Sequence, residues 1–261
     1  MFSMEWQFIQ ACQGGNMAVV QELLLDLKLD VHSRHELAFE QACANGQVEI
    51  VQLLLDLTGD RRINVRARRV CALRAACTNG QLEVVKLLIP PIDDRRINVH
   101  TDWEAAFRLA CQYGHVDVVK FLLELTDYRR IDVHVVSDIA FRVACQRGQL
   151  KIVQLLLDLT GDRRIDVHAH KDSIFRLMCE QENVPVVILL LSLKDDRYIE
   201  IPVECQKPWI LELAQTYRVS MLRYTFLTSN QKDQITFLFL IQLKELDLPN
   251  ELLFILFDIL Y

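Results

Sequence analysis

A block of 34 residues beginning at His32 repeats five times without a gap, and cysteines keep its beat: Cys43, Cys77, Cys111, Cys145 and Cys179 follow one another in steps of 34. Cys12 precedes Cys43 by thirty-one residues, so a shortened unit stands at the front. A fixed period of this size constrains the fold more than any other feature. Each unit is one supersecondary element that cannot bury its apolar face alone, so successive units must stack. Such an array is by default a binding surface, and chemistry would need residues that the stack does not use.

The unit is clearest over residues 106–133. Phe107, Ala110 and Cys111 fall at i, i+3 and i+4, one face of a short helix. Gly114 then breaks it, and Gly46, Gly80 and Gly148 hold the same place, as left-handed helix terminators would. A second helix follows from Val116 to Leu123, with Asp117 and Lys120 on its wet side and Asp117 in the first turn, where a carboxylate suits the helix dipole. Residues 126–134 (Thr-Asp-Tyr-Arg-Arg-Ile-Asp-Val-His) form the connector, whose Ile-x-Val alternation predicts an extended, projecting loop. The unit therefore reads helix, glycine turn, helix, loop.

The stretch Ala110-Cys111-Gln112-Tyr113-Gly114-His115-Val116-Asp117-Val118-Val119-Lys120-Phe121-Leu122-Leu123, with its copies at 42–55 and 144–157, resembles the helix–Gly–His–helix core of the ankyrin-repeat family. The ends Asp30-Val31-His32, Asp132-Val133-His134 and Asp166-Val167-His168 are similar to that family's Asp-Val-Asn hairpin. Two departures stand out. The family's Thr-Pro-Leu-His opening is replaced by Ala106-Phe107-Arg108 and its copies, and an Arg-Arg insert lengthens the connector. This longer form resembles ankyrin proteins of large viruses and of bacteria that infect amoebae. The resemblance implies an all-α, helix-turn-helix solenoid of about six repeats with short extended hairpin loops, and a non-enzymatic protein-binding role. A tetratricopeptide array shares the period but needs two long helices, and the Ile-x-Val loop occupies that length.

The expected organisation is a repeat array over 1–205 and a helical C-terminal cap over 206–261. Ile50–Ile63 and Ile152–Ile165 are the same fourteen residues, a sign of internal duplication. The fifth full unit departs from the pattern: Glu182-Asn183 stands for Gly-Gln, and Pro185 enters a helix's first turn, where proline is tolerated. Past Glu204 the period is lost. Residues 209–218 read as a last half-repeat, and Ser229 as the N-cap of a helix over 231–245.

Half of the chain is apolar and a quarter charged, ample for a packed core. The net charge of −6 argues against general affinity for nucleic acid or anionic membranes. No signal segment or bilayer-length apolar run is evident, so a monomeric, cytoplasmic protein is expected. Stacked repeats lie roughly 8–10 Å apart, whereas bridged Cα atoms need about 4.4–6.8 Å, so the eight cysteines read as buried thiols rather than disulfides.

Nothing points to catalysis or a cofactor. All eight glycines fall at turns or connectors, leaving none for a phosphate-binding loop. The histidine ladder His32, His100, His134 and His168 is spaced too widely for one metal ion, and we read each ring as bonding its own loop backbone. A second ladder, Arg61-Arg62, Arg95-Arg96, Arg129-Arg130, Arg163-Arg164 and Arg197, follows helix ends, where cations meet free carbonyls. The alternative is a stripe that binds a polyanion.

Candidate partner-binding residues are those that vary within the template. Two and three places past the ladder position stand Arg34 and His35, Arg68 and Arg69, Asp102 and Trp103, Val136 and Ser137, and His170 and Lys171. Before the turn glycine stand Asn45, Asn79, Tyr113 and Arg147. Packing is not expected to need these side chains, which should line the concave face, with Trp103 and Tyr113 as neighbouring aromatic anchors. The tail, residues 247–261, resembles the first helix of an F-box, and an ankyrin array ending this way resembles poxviral ankyrin proteins with a truncated C-terminal F-box (the PRANC type). The resemblance implies docking to the Skp1 adaptor of cullin ubiquitin ligases through Leu248, Pro249, Glu251, Leu252, Leu256 and Leu260. The other reading is a plain apolar cap.

Overall fold

The computed structural model describes residues 3–89, 97–193, 197–208 and 210–211, the side chains of 68–70 excepted. The chain divides into two compact units, residues 1–140 and 141–261. Among the described residues there are twelve α-helices, as six pairs, and no strand.

The first unit holds α1 (Met4–Gly14), α2 (Met17–Leu24), α3 (Ser33–Ala44), α4 (Val48–Leu55), α5 (Ala67–Thr78), α6 (Leu82–Leu88), α7 (Thr101–Tyr113) and α8 (Val116–Leu123). First helices pack on first helices, α1 on α3, α3 on α5 and α5 on α7, while α2, α4, α6 and α8 form the second row. α9 (Val135–Gln146) ends in the second unit, which continues with α10 (Leu150–Leu157), α11 (Ala169–Glu180) and α12 (Val184–Leu191). There α12 packs on both α10 and α11.

The core follows the period. Phe8, Phe39, Leu73 and Phe107 in the first unit, and Phe141 and Phe175 in the second, are each at most 2% exposed. A small residue and then a thiol follow one helical turn later in most repeats, as in Ala42 and Cys43, where a large ring leaves room for little else. Seven of the eight cysteines are buried thiols, whereas Cys71 is half-buried, against the expectation. Burial pushes the Cys12 and Cys77 thiols up to about 12, which keeps them protonated and inert.

The turn glycines are left-handed: Gly46 and Gly80 at φ +71°, Gly114 at +85° and Gly148 at +65°. The residue after the glycine then reaches back one repeat. Gln47 Nε2 donates to the Gln13 carbonyl at 3.3 Å, Gln81 Nε2 to Ala44 at 3.4 Å and His115 Nε2 to Thr78 at 2.7 Å. In the second unit Asn183 Nδ2 donates to Cys145 at 3.1 Å. Each capped carbonyl belongs to the end of a first helix, where intrahelical partners run out.

The connector corrects the expectation of a wholly extended loop. Its Arg-bearing part closes 3-10 turns at Gly59–Arg61, Asp127–Arg129 and Gly161–Arg163. The backbone is extended at the second arginine, Arg62, Arg130 and Arg164, and the valines that follow enter a turn. Ile63 and Val65, Ile131 and Val133, and Ile165 and Val167 are all buried. The arginines serve helix ends, as expected, but those of the preceding repeat. Arg61 Nη1 donates to the Leu24 carbonyl at 2.8 Å, and Arg197 Nη1 to Leu157 at 2.7 Å. No helix among the described residues is long and apolar enough to cross a membrane.

Candidate functional site

Each first helix after α1 begins with a turn built from the loop side. Asp30 Oδ1 accepts from the His32 amide at 2.9 Å, and Asn64, Asn98, Asp132 and Asp166 do the same two residues on. These Asx turns give short polar side chains a local backbone partner. Three consecutive left-handed residues follow in four repeats: Arg34–Glu36, Asp102–Glu104, Val136–Asp138 and His170–Asp172, with φ between +50° and +68°. Each such residue costs about 1–2 kcal/mol when it is not glycine, and Val136 is β-branched besides. Contacts on both sides must therefore hold the turn.

Two sets of contacts do so. The ladder histidine bonds an acid four residues on: His32 Nδ1 to Glu36 at 2.7 Å, and His100 to Glu104, His134 to Asp138 and His168 to Asp172 at 2.6 Å. The other ring nitrogen of His32 reaches the Asp60 carbonyl, and that of His100 the Tyr128 carbonyl, both at 2.7 Å and both in the connector that closes the repeat, one connector on from the ring's own. This corrects the expectation that each ring bonds only its own loop. From the helix side, Arg108 donates to the carbonyls of Trp103 (3.0 Å) and Asp102 (3.2 Å), and Arg176 to that of Lys171 (2.8 Å).

The histidine–acid pairs escaped the sequence reading, though a signal was there. His-x-x-x-Glu/Asp recurs in register, and the one repeat that loses the histidine, at Arg66, also loses the acid, at Val70. Burial lowers the His32 pKa, but the Asp60 carbonyl and the Glu36 carboxylate outweigh it and hold the ring above the usual histidine value. His100 is raised likewise, burial being outweighed by Glu104, the Tyr128 carbonyl and Asp132. No group of histidines, cysteines and carboxylates among the described residues is placed to hold a metal ion.

In four repeats the left-handed turns carry the candidate recognition pairs. Arg34, His35, Trp103, Val136, Ser137, His170 and Lys171 are exposed, and Trp103 is 70% exposed. Arg68 and Arg69 lie on α5, their side chains outside the described residues. At the other ends of the first helices, Asn45, Asn79, Tyr113 and Arg147 are exposed as well.

Several of these side chains have intramolecular partners, against the expectation that packing ignores them. Asn45 Nδ2 caps the Gln41 carbonyl at 2.8 Å and Asn79 Nδ2 that of Ala75 at 2.9 Å. Asp102 is half-buried and pairs with Arg74 of the preceding repeat at 2.7 Å. Arg34 lies over the Trp6 ring, 5.4 Å from its centroid. Trp103 and Tyr113 stand ten residues apart in sequence, Trp103 in the left-handed turn and Tyr113 at the far end of α7. The candidate tail residues Leu248, Pro249, Glu251, Leu252, Leu256 and Leu260 lie outside the described residues.

No curated protein matches the chain. Residues 73–171 match the family model of ankyrin repeats, in three copies, so the helix pairs of that stretch are similar to repeats that serve as protein-interaction modules.

Proposed function

We propose that the protein is a non-enzymatic binding module that captures a partner protein with the left-handed turns and the exposed first-helix residues beside them. The observation that carries this reading is Trp103. It is a large aromatic, 70% exposed, on a backbone that is locked by the His100–Glu104 pair and by Arg108. An indole held out in water on a fixed backbone is a preorganised anchor, because the backbone has little freedom left to lose on binding. Arg34, His35, Arg68, Arg69, Asp102, Val136, Ser137, His170 and Lys171 supply the turn-to-turn variation, and Tyr113, Asn45, Asn79 and Arg147 the far ends of the helices.

Affinity capture from a cell extract, read by mass spectrometry, tests the site. Trp103→Ala should lose the proteins that the parent retains, while Lys120→Ala on the second-helix row should keep them. Equal capture by the parent and Trp103→Ala would refute it.

A second reading concerns the tail. An array over 1–205 followed by a separate element over 206–261 suits an adaptor in which residues 247–261 dock on Skp1, linking a captured protein to a ubiquitin ligase. Its support is the Leu-Pro-Asn-Glu-Leu-Leu opening at 248–253 and the apolar positions Leu256 and Leu260. Co-elution of the purified protein with Skp1 at tens of micromolar is the expected result, and separate elution returns the segment to a capping role. The polyanion reading has less to stand on. Arg61 is half-buried with Nη1 committed to a helix end, and its Nε and Nη2 are out of reach of solvent.

A further inference from the structure

The histidine–acid pairs of the first unit pose a proton-counting problem. Both ring nitrogens of His32 face acceptors, Glu36 at 2.7 Å and the Asp60 carbonyl at 2.7 Å. A carbonyl cannot donate, so Nε2 must carry a hydrogen. Nδ1 then meets a carboxylate oxygen with no proton between them unless one is supplied. The same holds for His100, between Glu104 at 2.6 Å and the Tyr128 carbonyl at 2.7 Å.

The acid side bears on where that proton sits. Glu36 Oε1 also accepts from the Asn64 amide at 3.0 Å, and Glu104 Oε1 from the Asp132 amide at 3.2 Å. Each Oε1 takes the amide hydrogen whichever way the shared proton lies, and with that proton on Nδ1 the pair is an imidazolium beside a carboxylate that accepts two N–H donors. Both carboxylates are nearly buried, Glu36 at 5% and Glu104 at 2% exposure, and the second oxygen of each has no partner. A buried negative charge of that kind needs a cation beside it. The other charged groups that act on the rings are acidic too: Asp30, in the loop before His32, and Asp132, in the connector after His100.

We propose that His32 and His100 are proton-dependent clamps: each imidazolium ties the start of its repeat's first helix to the connector that closes the same repeat, and loss of its proton loosens that junction and the left-handed turn the ring encloses. The clamp belongs to the array itself and does not depend on what the turns bind. The sign follows from linkage. The ordinary histidine value is 6.5 and both rings are held above it in the folded chain. The stabilisation is thus complete below 6.5 and is lost as the pH rises through the folded value. The repeat that opens at Arg66 has Val70 in place of the acid and so lacks this proton-dependent pair.

The test uses the whole protein. Ring-nitrogen NMR followed from pH 5.5 to 9 should give His32 and His100 midpoints above 6.5, with both nitrogens protonated below the midpoint. Over the same range the protection of the Asn64 and Asp132 amides should fall, by up to about tenfold per pH unit for one proton released. Protection of the Asn98 amide, the equivalent beside Val70, should not follow them. The double variant His32→Gln/His100→Gln should lose the pH dependence of the denaturation midpoint between pH 6.5 and 9. Ring midpoints at or below 6.5, or parent stability that stays level or rises across that window, would overturn the proposal. The parent's ring titration decides even if the double variant fails to fold.

Discussion

Three left-handed glycines in the first unit allow the cost of backbone conformation to be separated from the cost of crowding. Gly59 has φ +62° and open space where a Cβ would go. Gly46 has φ +71°, with its added Cβ 2.2 Å from Oε1 of Gln81, the far end of a flexible side chain. Gly80 has the same φ of +71°, but there the Cβ lands 2.4 Å from Nδ1, 2.8 Å from Cε1 and 2.9 Å from Cγ of His115. The amide of Gln81 can swing aside, whereas the imidazole must move as a whole.

Alanine at Gly59 should therefore cost about 1 kcal/mol, the left-handed penalty less what is recovered from a stiffer unfolded chain. At Gly80 the displaced ring also gives up its 2.7 Å bond to the Thr78 carbonyl, worth about 1 kcal/mol, and leaves that carbonyl short of a partner. The expected total is about 2–3 kcal/mol, with Gly46→Ala in between. Urea denaturation followed by circular dichroism gives the order. In a His115→Ala background the Gly80→Ala cost should shrink toward the Gly59 value, because the two effects share one contact. Equal losses for Gly59→Ala and Gly80→Ala would refute the reasoning.

Asp127 holds the connector place that glycine fills in Gly59 and Gly161, and it does so at φ +57°, so Asp127→Gly should stabilise by about 1 kcal/mol in the same assay. Arg61→Ala removes the bond to the end of α2 and should cost about 1–2 kcal/mol, only part of which Arg61→Lys recovers, since a lysine lacks the planar fork. Among the native thiols, Cys71, which is only half-buried, should react with a thiol reagent before Cys77 or Cys111; simultaneous labelling would contradict the packing of the first helices.

The helix pairs, their buried ladder and the turn glycines were legible because local periodicity and one backbone requirement dictate them. The fourteen residues shared by Ile50–Ile63 and Ile152–Ile165 make the point: both copies close a 3-10 turn from a left-handed glycine, at φ +62° and +64°. What was not legible depends on partners far along the chain. Of Asp102-Trp103-Glu104 only the aspartate takes positive φ with any ease, and the turn is held because His100 meets Tyr128 and Glu104 meets Asp132, each twenty-eight residues away. Likewise Arg61 sits after one helix but caps another, thirty-seven residues back. Most of the candidate partner-binding residues whose side chains are described are exposed, but Asp102 is half-buried against Arg74, and the capping work of Asn45 and Asn79 was hidden in their likeness to the other variable positions.

The reach-back bonds have a consequence for how such a gene can change. Gln47, Gln81 and His115 each finish a neighbour's helix from the same place in the period, and Asn183 does so in the second unit. A whole period copied in or cut out therefore severs one set of these bonds and recreates it across the new join, whereas a loss of ten or twenty residues leaves donors facing the wrong partners. Recombination between identical stretches such as the two fourteen-residue copies moves the chain by whole periods. Unequal crossing-over can thus lengthen or shorten this protein while every surviving junction keeps its bonding rules, and selection acts on which turns are displayed rather than on whether the chain folds.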